Sequence, residues 1–356
     1  QYAARGAKNG RSRAHKVMDQ WLIENLVCPC HKGNLSVADN KLSCEHGCKF
    51  PVVDGVPVML LRDARQTMGL AMKSLEQSEA GSKDGSLYLD TLGISPQEKQ
   101  GILDLIKKHG NTVDPVVSYL IAATNGIAYK SHVGKLREYP FPDLRLPDSN
   151  GSLFLDLGCN WGRWTIAAAR KGYKAVGIDP SLGAVMAAKR VAASLGSNAV
   201  FLVGDARYLP FRTASVDQVF SYSVLQHFSR EDANLTTAEI GRVLKADGSS
   251  LIQMPTKFGI RCLYHQARRG FKDGEGFEVR YWSPAALRRL FDMNIGKTTL
   301  SVDCYFGIGL QHSDLALMPV PLKGAVIASE LLRRLSEVFP PLVYLADSVY
   351  VTSRKT

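Results

Sequence analysis

LFLDLGCNWG, residues 153–162, is the stretch that decides the fold. Its first half is a short, almost wholly apolar run with no polar alternation, which reads as a strand buried on both faces and therefore as part of a parallel sheet. Gly158 lets the backbone turn at the end of that strand. Gly162 lets a ligand approach the start of the helix that follows. Strand, tight turn and helix in this order make one half of a nucleotide-binding unit.

The same alternation continues downstream. WTIAAARKG reads as a helix, KAVGID as a strand, LGAVMAAKRVAASLG as a helix, and AVFLVGD, VDQVFSYS and SSLIQMP as further strands. Strands alternating with helices at this spacing predict an α/β fold with a doubly wound, mostly parallel sheet. A dinucleotide-binding fingerprint would place glycines at 158, 160 and 163, where this chain has Gly158, Asn160 and Arg163; that counts against NAD. Asp179 ends the strand KAVGID, 21 positions after Gly158, where a carboxylate can accept both hydroxyls of a ribose. Asp205, in VGDARYLPF, ends the next strand.

These three elements together resemble the class I S-adenosylmethionine-dependent methyltransferases over roughly residues 150–255, and VLKADGSSLIQMP matches the family's passage into its fifth strand. The resemblance implies a seven-stranded sheet. It also implies that Asp156, Gly158 and Gly162 line the methionine end of the donor, that Asp179 binds its ribose, and that Asp205 with Ala206 meets its adenine. Asn160 stands where the family most often has Gly; Asn tolerates a positive φ better than other side chains, so the turn should survive. A sulfonium is already a strong methyl donor, so catalysis is mainly positioning of the acceptor. Where the acceptor must lose a proton, the candidate base is His227 in SYSVLQHFS, with Tyr222 and Gln226 beside it; the same histidine could simply cap the next helix. The NPPY-type turn and the Pro-Cys nucleophile of two kinds of base methylation are absent from residues 151–356.

Upstream, the cysteines cluster. Of seven, four fall in the pattern C-x-C-H-x12-C-x3-C from Cys28 to Cys48. An odd count with clustered thiols and no secretory signal fits a reducing compartment and a metal rather than a disulfide framework. Cys28, His31, Cys44 and Cys48 are the preferred ligands of one structural zinc, with Cys30 the rival to His31 and His46 an outsider. A segment this short has too small a core to fold without such a staple. LVCPCHKGNL…LSCEHGCKFPVVDGVPVML resembles the small zinc-ribbon proteins that activate methyltransferases, and the zinc-binding end of rRNA guanine methyltransferases. It departs from their pattern in having His31 where a Cys is usual and three residues between Cys44 and Cys48.

Four stretches are therefore expected: a basic tail (1–16), a zinc ribbon (17–63) ending in a strand-turn-strand about Asp54-Gly55, a helical connector (64–150), and the methyltransferase unit (151–356). In the connector, Ser95-Pro-Gln-Glu98 reads as a capping box and Asp114-Pro115 opens a second helix. Pro140, Pro142 and Pro147 make YPFPDLRLPDSNG an extended linker.

Composition is that of a globular protein, 45% hydrophobic and 22% charged, which excludes disorder, and no apolar run reaches a membrane span. The net charge is +11, of which the tail carries five cations and no acid. That tail reads either as a solvated arm or as a grip on RNA or another anionic surface. Residues 257–289 hold Lys257, Arg261, Arg268, Arg269, Lys272, Arg280, Arg288 and Arg289 against Asp273, Glu275 and Glu278, at the end of the sheet where an acceptor must sit. This suggests a phosphate- or carboxylate-bearing acceptor. Tyr305–Val343 reads as a second lid or as the surface of a homodimer. The expectation is a cytoplasmic enzyme using S-adenosylmethionine and structural Zn2+ on a small or carrier-linked metabolite such as a sugar, lipid or natural-product intermediate. RNA is the second acceptor class, and a binding module that has lost transfer the third reading.

Overall fold

The structure is a computed structural model describing residues 18–62, 69–81, 85–108, 113–125, 127–307 and 312–356. The basic tail, and with it the reading of that tail as an arm or a grip, lies outside the described residues. Eleven strands among them form one sheet. Four belong to the N-terminal segment: β1 (Leu35–Ala38), β2 (Lys41–Cys44), β3 (Lys49–Val53) and β4 (Val56–Met59). Seven follow: β5 (Leu153–Leu157), β6 (Lys174–Asp179), β7 (Val200–Gly204), β8 (Val216–Ser221), β9 (Leu244–Pro255), β10 (Gly296–Cys304) and β11 (Ser348–Lys355).

The order is β1-β2-β3-β4-β7-β6-β5-β8-β9-β11-β10. β7, β6, β5, β8 and β9 run parallel, and β11 is inserted antiparallel between β9 and β10. β5 is buried at every position, as its unbroken apolar run requires. The winding reverses between β5 and β8, so a crevice opens at the carboxyl ends of those two strands.

The sheet is wider than the seven strands expected, because β4 pairs in parallel with β7 through Val58–Val203 and Met59–Gly204. An edge strand leaves a row of N–H and C=O groups unpaired, and here the N-terminal hairpins cover it. A second line of contact supports this pairing. Val27 donates its N–H to the Pro210 carbonyl at 2.9 Å, the Arg212 N–H reaches Asn25, and Lys32 Nζ meets Glu239 at 2.8 Å. Leu22, Leu26, Phe50 and Met59 belong to the same apolar core as Leu155, Leu202 and Phe211.

On that face the helices Arg230–Val243 and Pro284–Asn294 complete the core. On the other, Leu182–Ser194 is buried along most of its length and is itself covered by the connector. The capping box is present, with Ser95 Oγ accepting from the Glu98 N–H and Glu98 accepting from the Ser95 N–H at 2.8 Å. The helix it opens runs Pro96–Lys107, and Asp114 caps Pro115–Asn125 through the Val116 N–H. Ser74 Oγ donates to the Pro180 carbonyl and accepts from the Leu182 N–H, which ties the helix Leu70–Ala80 to the turn after β6. The linker 139–151 is free of helix and strand.

Leu26 is 1% exposed at the junction of hairpins and sheet. Leu26→Ala should cost about 2–4 kcal/mol through the cavity it leaves. Because both parts share one core, calorimetry should show a single unfolding transition moved to lower temperature, not a separate early one.

Candidate functional site

A cavity of about 670 Å³ lies at the carboxyl ends of the parallel strands. Gly158, Asn160, Asp179, Asp205, Ala206 and His227 all line it, as do Tyr222 and Gln226. Leu70, Leu92, Ile94 and Leu120 line it from the connector side, so the helical segment covers this end of the sheet.

The turn after β5 explains the glycine spacing. Gly158 has φ 71°, and a Cβ there would come within 2.3 Å of the Val224 side chain. Asn160 adopts φ 45°, the left-handed conformation anticipated for it. Its N–H donates to Asp179 at 3.0 Å, while its Oδ1 is buried without a partner among the described groups. Asp179 also accepts the Ser181 N–H at 2.9 Å, which holds the carboxylate pointing into the cavity. Burial pushes its pKa up to about 6 against the pull of those two N–H groups.

Asp205 is gripped by Arg207, whose Nη2 lies 2.7 Å from Oδ2 and whose backbone N–H donates to Oδ1; the same guanidinium reaches Asp232 at 2.9 Å. Two of the expected donor-site residues stand behind the cavity wall and not on it. Asp156 turns inward and accepts the Thr165 hydroxyl at 2.6 Å, fixing the helix start; burial raises it to about 7. Gly162 is a packing position, where a Cβ would press within 2.9 Å of Ala188 and Phe201.

His227 is held on both nitrogens. Its Nδ1–H donates to the Phe277 carbonyl at 2.7 Å, which leaves Nε2 bare to accept the Gln226 amide at 3.1 Å. The Phe277 ring stacks on the imidazole at 3.9 Å. Burial, reinforced by the charge of Arg280, keeps its pKa below the usual histidine value despite the Phe277 carbonyl. The ring is thus held with Nδ1 as its donor and the Nε2 lone pair turned to the Gln226 amide.

Apart from Tyr222, the sequence reading missed the polar floor of the cavity. Tyr222 Oη donates to Asp303 at 3.1 Å, Ser348 Oγ donates to the same carboxylate at 2.9 Å, and Gln253 links Ser348 to Ser223. Burial raises Asp303, opposed by Arg145 3.7 Å away and by the two hydroxyls. The available signal was an aspartate ending an apolar strand, TLSVDC, the same mark that singled out Asp179. The cation cluster does not converge as expected: of its eight members only Arg261 lines the cavity. Arg280 clamps the His227 carbonyl at 2.8 Å, Arg269 binds Glu278, and Arg288 with Arg289 line a separate groove of about 1000 Å³ against the helix Val320–Val338.

In the N-terminal segment, Cys28, His31, Cys44 and Cys48 bring their ligand atoms within 4.8 Å of one another. His31 Nδ1 lies 3.8, 3.9 and 3.4 Å from the sulfurs of Cys28, Cys44 and Cys48. Three thiols and an imidazole at zinc bond lengths sit about 3.5–3.8 Å apart around a tetrahedral ion, so the donor set and spacing fit Zn2+. Cys30 is exposed and faces the other ring nitrogen, Nε2, at 3.7 Å. His46 lies against His31 outside the group, its ring tilted by 43°.

Comparison with known proteins follows the same division. A family model described as "Methyltransferase domain" matches residues 154–248. A UPF0434 protein of Ralstonia pickettii is 48% identical over 54 residues, covering 14% of this chain and 87% of that protein. One from Stutzerimonas stutzeri is 49% identical over 51 residues, covering 14% and 84%. Among solved structures, a Haloferax volcanii complex of the Trm112 methyltransferase activator with a methyltransferase is 23% identical over 59% of this chain and 85% of that one, with a TM-score of 0.40. Phosphoethanolamine N-methyltransferase 2 of Haemonchus contortus with S-adenosyl-L-methionine is 19% identical over 59% and 50%, also at 0.40.

Metal analysis separates the two candidate ligands of the first knuckle. Cys30→Ser should keep a full zinc equivalent, whereas His31→Ala and Cys44→Ser should lose it and leave residues 18–62 open to protease, since binding and folding are coupled.

Proposed function

We propose that this chain, whose residues 154–248 match the methyltransferase-domain model and whose N-terminal segment is of the UPF0434 family, transfers methyl from S-adenosylmethionine to a small or carrier-linked acceptor seated beside His227. The observation that carries this reading is convergence. The turn at 158–160, Asp179, Asp205–Ala206 and His227 come from four separate strand ends and line one cavity.

The residues fit the donor. The left-handed turn brings backbone close to the ligand, Asn160 Oδ1 is an acceptor in want of a donor, and Asp179 offers a fixed carboxylate to a pair of hydroxyls. When bound, S-adenosylmethionine supplies an electrophilic methyl group on a sulfonium. Asp179 would hold the ribose and Ala206 would face the adenine. Asp205, already paired with Arg207, would fix the loop more than it meets the ligand. Asp156 would act through Thr165, by setting the helix start.

On the acceptor side, Nε2 of His227 would take the proton of a hydroxyl or amine that displaces the Gln226 amide. Tyr222, fixed by Asp303, would orient the same group. Connector residues Leu70, Leu92 and Leu120 would exclude water from the transfer. Four thiol and imidazole ligands closed on themselves would make the zinc structural, with no open position for chemistry. An acceptor small enough to be enclosed fits better than RNA, because the described cations that RNA would need mostly face away from the cavity.

Two measurements test this. Asp179→Ala should weaken donor binding by about 1–3 kcal/mol in calorimetry. In the unaltered protein, affinity should fall as pH drops through about 6, where the buried carboxylate takes up a proton and can accept from only one hydroxyl well. Donor affinity that is unchanged in the variant and flat with pH removes the ribose assignment.

His227→Gln should lower turnover about 10²–10⁴-fold with little change in donor affinity. Turnover of the unaltered protein should rise with pH to a plateau whose midpoint lies below the usual histidine value, because the ring must be neutral to act. A variant that turns over normally leaves positioning alone as the source of catalysis.

A further inference from the structure

The helix Ile260–Arg268, which forms one wall of the cavity, is amphipathic the wrong way round for a protein core. Cys262 and Gln266 face inward and are buried. Ile260, Leu263, Tyr264 and Ala267, spaced i, i+3, i+4, i+7, face solvent. Ile260 is 69% exposed and Tyr264 58%. Phe258 before the helix and Phe271 after it, the latter 68% exposed, extend the stripe at both ends. Single exposed apolar residues are ordinary, but a continuous helical stripe of them beside a cavity mouth marks a contact surface.

Charge says what kind of surface. Residues 257–272 contain Lys257, Arg261, Arg268, Arg269 and Lys272 and no acid. Of these only Arg269 forms an ion pair with a described residue. Lys257, Arg268 and Lys272, which neither the cavity nor a described carboxylate uses, flank the apolar stripe. An apolar face bordered by these three cations, which have no carboxylate partner among the described residues, matches the interface of an anionic bilayer, where the side chains enter the acyl boundary and the cations meet headgroups. RNA would meet the charges and could stack bases on Tyr264 and Phe271, but it offers no aliphatic phase to receive Ile260 and Leu263. Among the described residues no helix is long and apolar enough to cross a membrane, so the contact lies on the surface.

We propose that the segment 257–272 seats the protein on an anionic membrane surface, and that the acceptor reaches the cavity from that surface on a lipid anchor. Arg261, Cys262 and His265 of the same helix line the cavity, so its outer side meets the lipid while its inner side meets the acceptor. Phe277, half exposed at the rim, stacks on His227 and places the candidate base within reach of whatever arrives there. The acceptor half of this proposal rests on the methyl-transfer reading; the membrane half does not, and it is measured without turnover.

The test is sedimentation of the full chain with vesicles of phosphatidylcholine alone or mixed with phosphatidylglycerol. The protein should bind the anionic vesicles, weakly at high salt, and bind phosphatidylcholine alone much less. The combined variant Ile260→Asp, Tyr264→Asp, Phe271→Asp should lower partitioning at least tenfold, with melting temperature and donor affinity unchanged because all three side chains face solvent. Lys257→Gln with Arg268→Gln and Lys272→Gln should lower it about fivefold per charge removed and flatten the salt dependence. Failure to bind either vesicle overturns the proposal, as does partitioning that the aspartates leave unchanged. A dimer in sedimentation velocity that the aspartates dissociate assigns the stripe to a second copy instead. RNA binding that these cations support and the aspartates do not affect assigns it to nucleic acid.

Discussion

The pairing of β4 with β7 is the contact on which the rest of the structure depends. It joins Met59 to Gly204, the residue immediately before Asp205. The same N-terminal segment grips the chain just beyond, through Val27 on Pro210 and Asn25 on Arg212. The loop 205–209, which carries Asp205, Ala206 and Arg207 into the cavity, is therefore anchored at both ends by residues outside the nucleotide-binding unit. Without that cover β7 would end the sheet with unpaired backbone and a loop free to move. The Cys28–His31–Cys44–Cys48 group thereby gains a route to the cavity, from Cys44 on β2 through the hairpins to the strand that ends just before Asp205. This is continuity of packing and hydrogen bonding.

Four strand ends present an aspartate at this side of the sheet, and their neighbours make them different groups. Asp156 has turned away toward Thr165 and is pushed up to about 7. Asp179 receives two backbone N–H groups and stays near 6. Asp205 is matched by a guanidinium and Asp303 by hydroxyls. Repeated placement follows from the fold, since parallel strands end together. The division of roles follows from whether each carboxylate meets a cation, an N–H or a hydroxyl once water is gone.

That distinction marks how far the sequence could be read. Strand, turn and helix at 153–170, the positive φ at Asn160 and the aspartate at 179 were legible because each is a local requirement of backbone geometry. The capping box at Ser95 was legible for the same reason. Direction of a side chain was not: nothing in LFLDLG tells whether Asp156 faces a ligand or a neighbouring helix. The breadth of the sheet was hidden because VPVM reads as the second arm of a hairpin, and its other partner lies about 145 residues away. The choice between Cys30 and His31 depends on where one ring nitrogen points. The cations at 257–289 looked like one patch in sequence; folding sends some to backbone carbonyls, some to a distant groove and some to the outer rim.

The outward stripe on Ile260–Arg268 is fixed, not left over, and Asp347 fixes it. The carboxylate of Asp347 accepts the Cys262 N–H at 2.9 Å, and its carbonyl accepts the Cys262 thiol and the Thr256 N–H. Gly259 sits so close that a Cβ would fall 2.3 Å from the Asp347 Cα. On the inner side Gln266 donates to the carbonyls of Lys257 and Cys262. Rolling the helix to bury Ile260 and Leu263 would break these bonds and strand a buried carboxylate and amide, a cost larger than the gain from covering two aliphatic side chains. The wall of the cavity is thus locked in the one orientation that shows its apolar side to the outside. A surface held rigidly in that state loses little further freedom when something covers it, and whatever does so is held in register with the cavity behind.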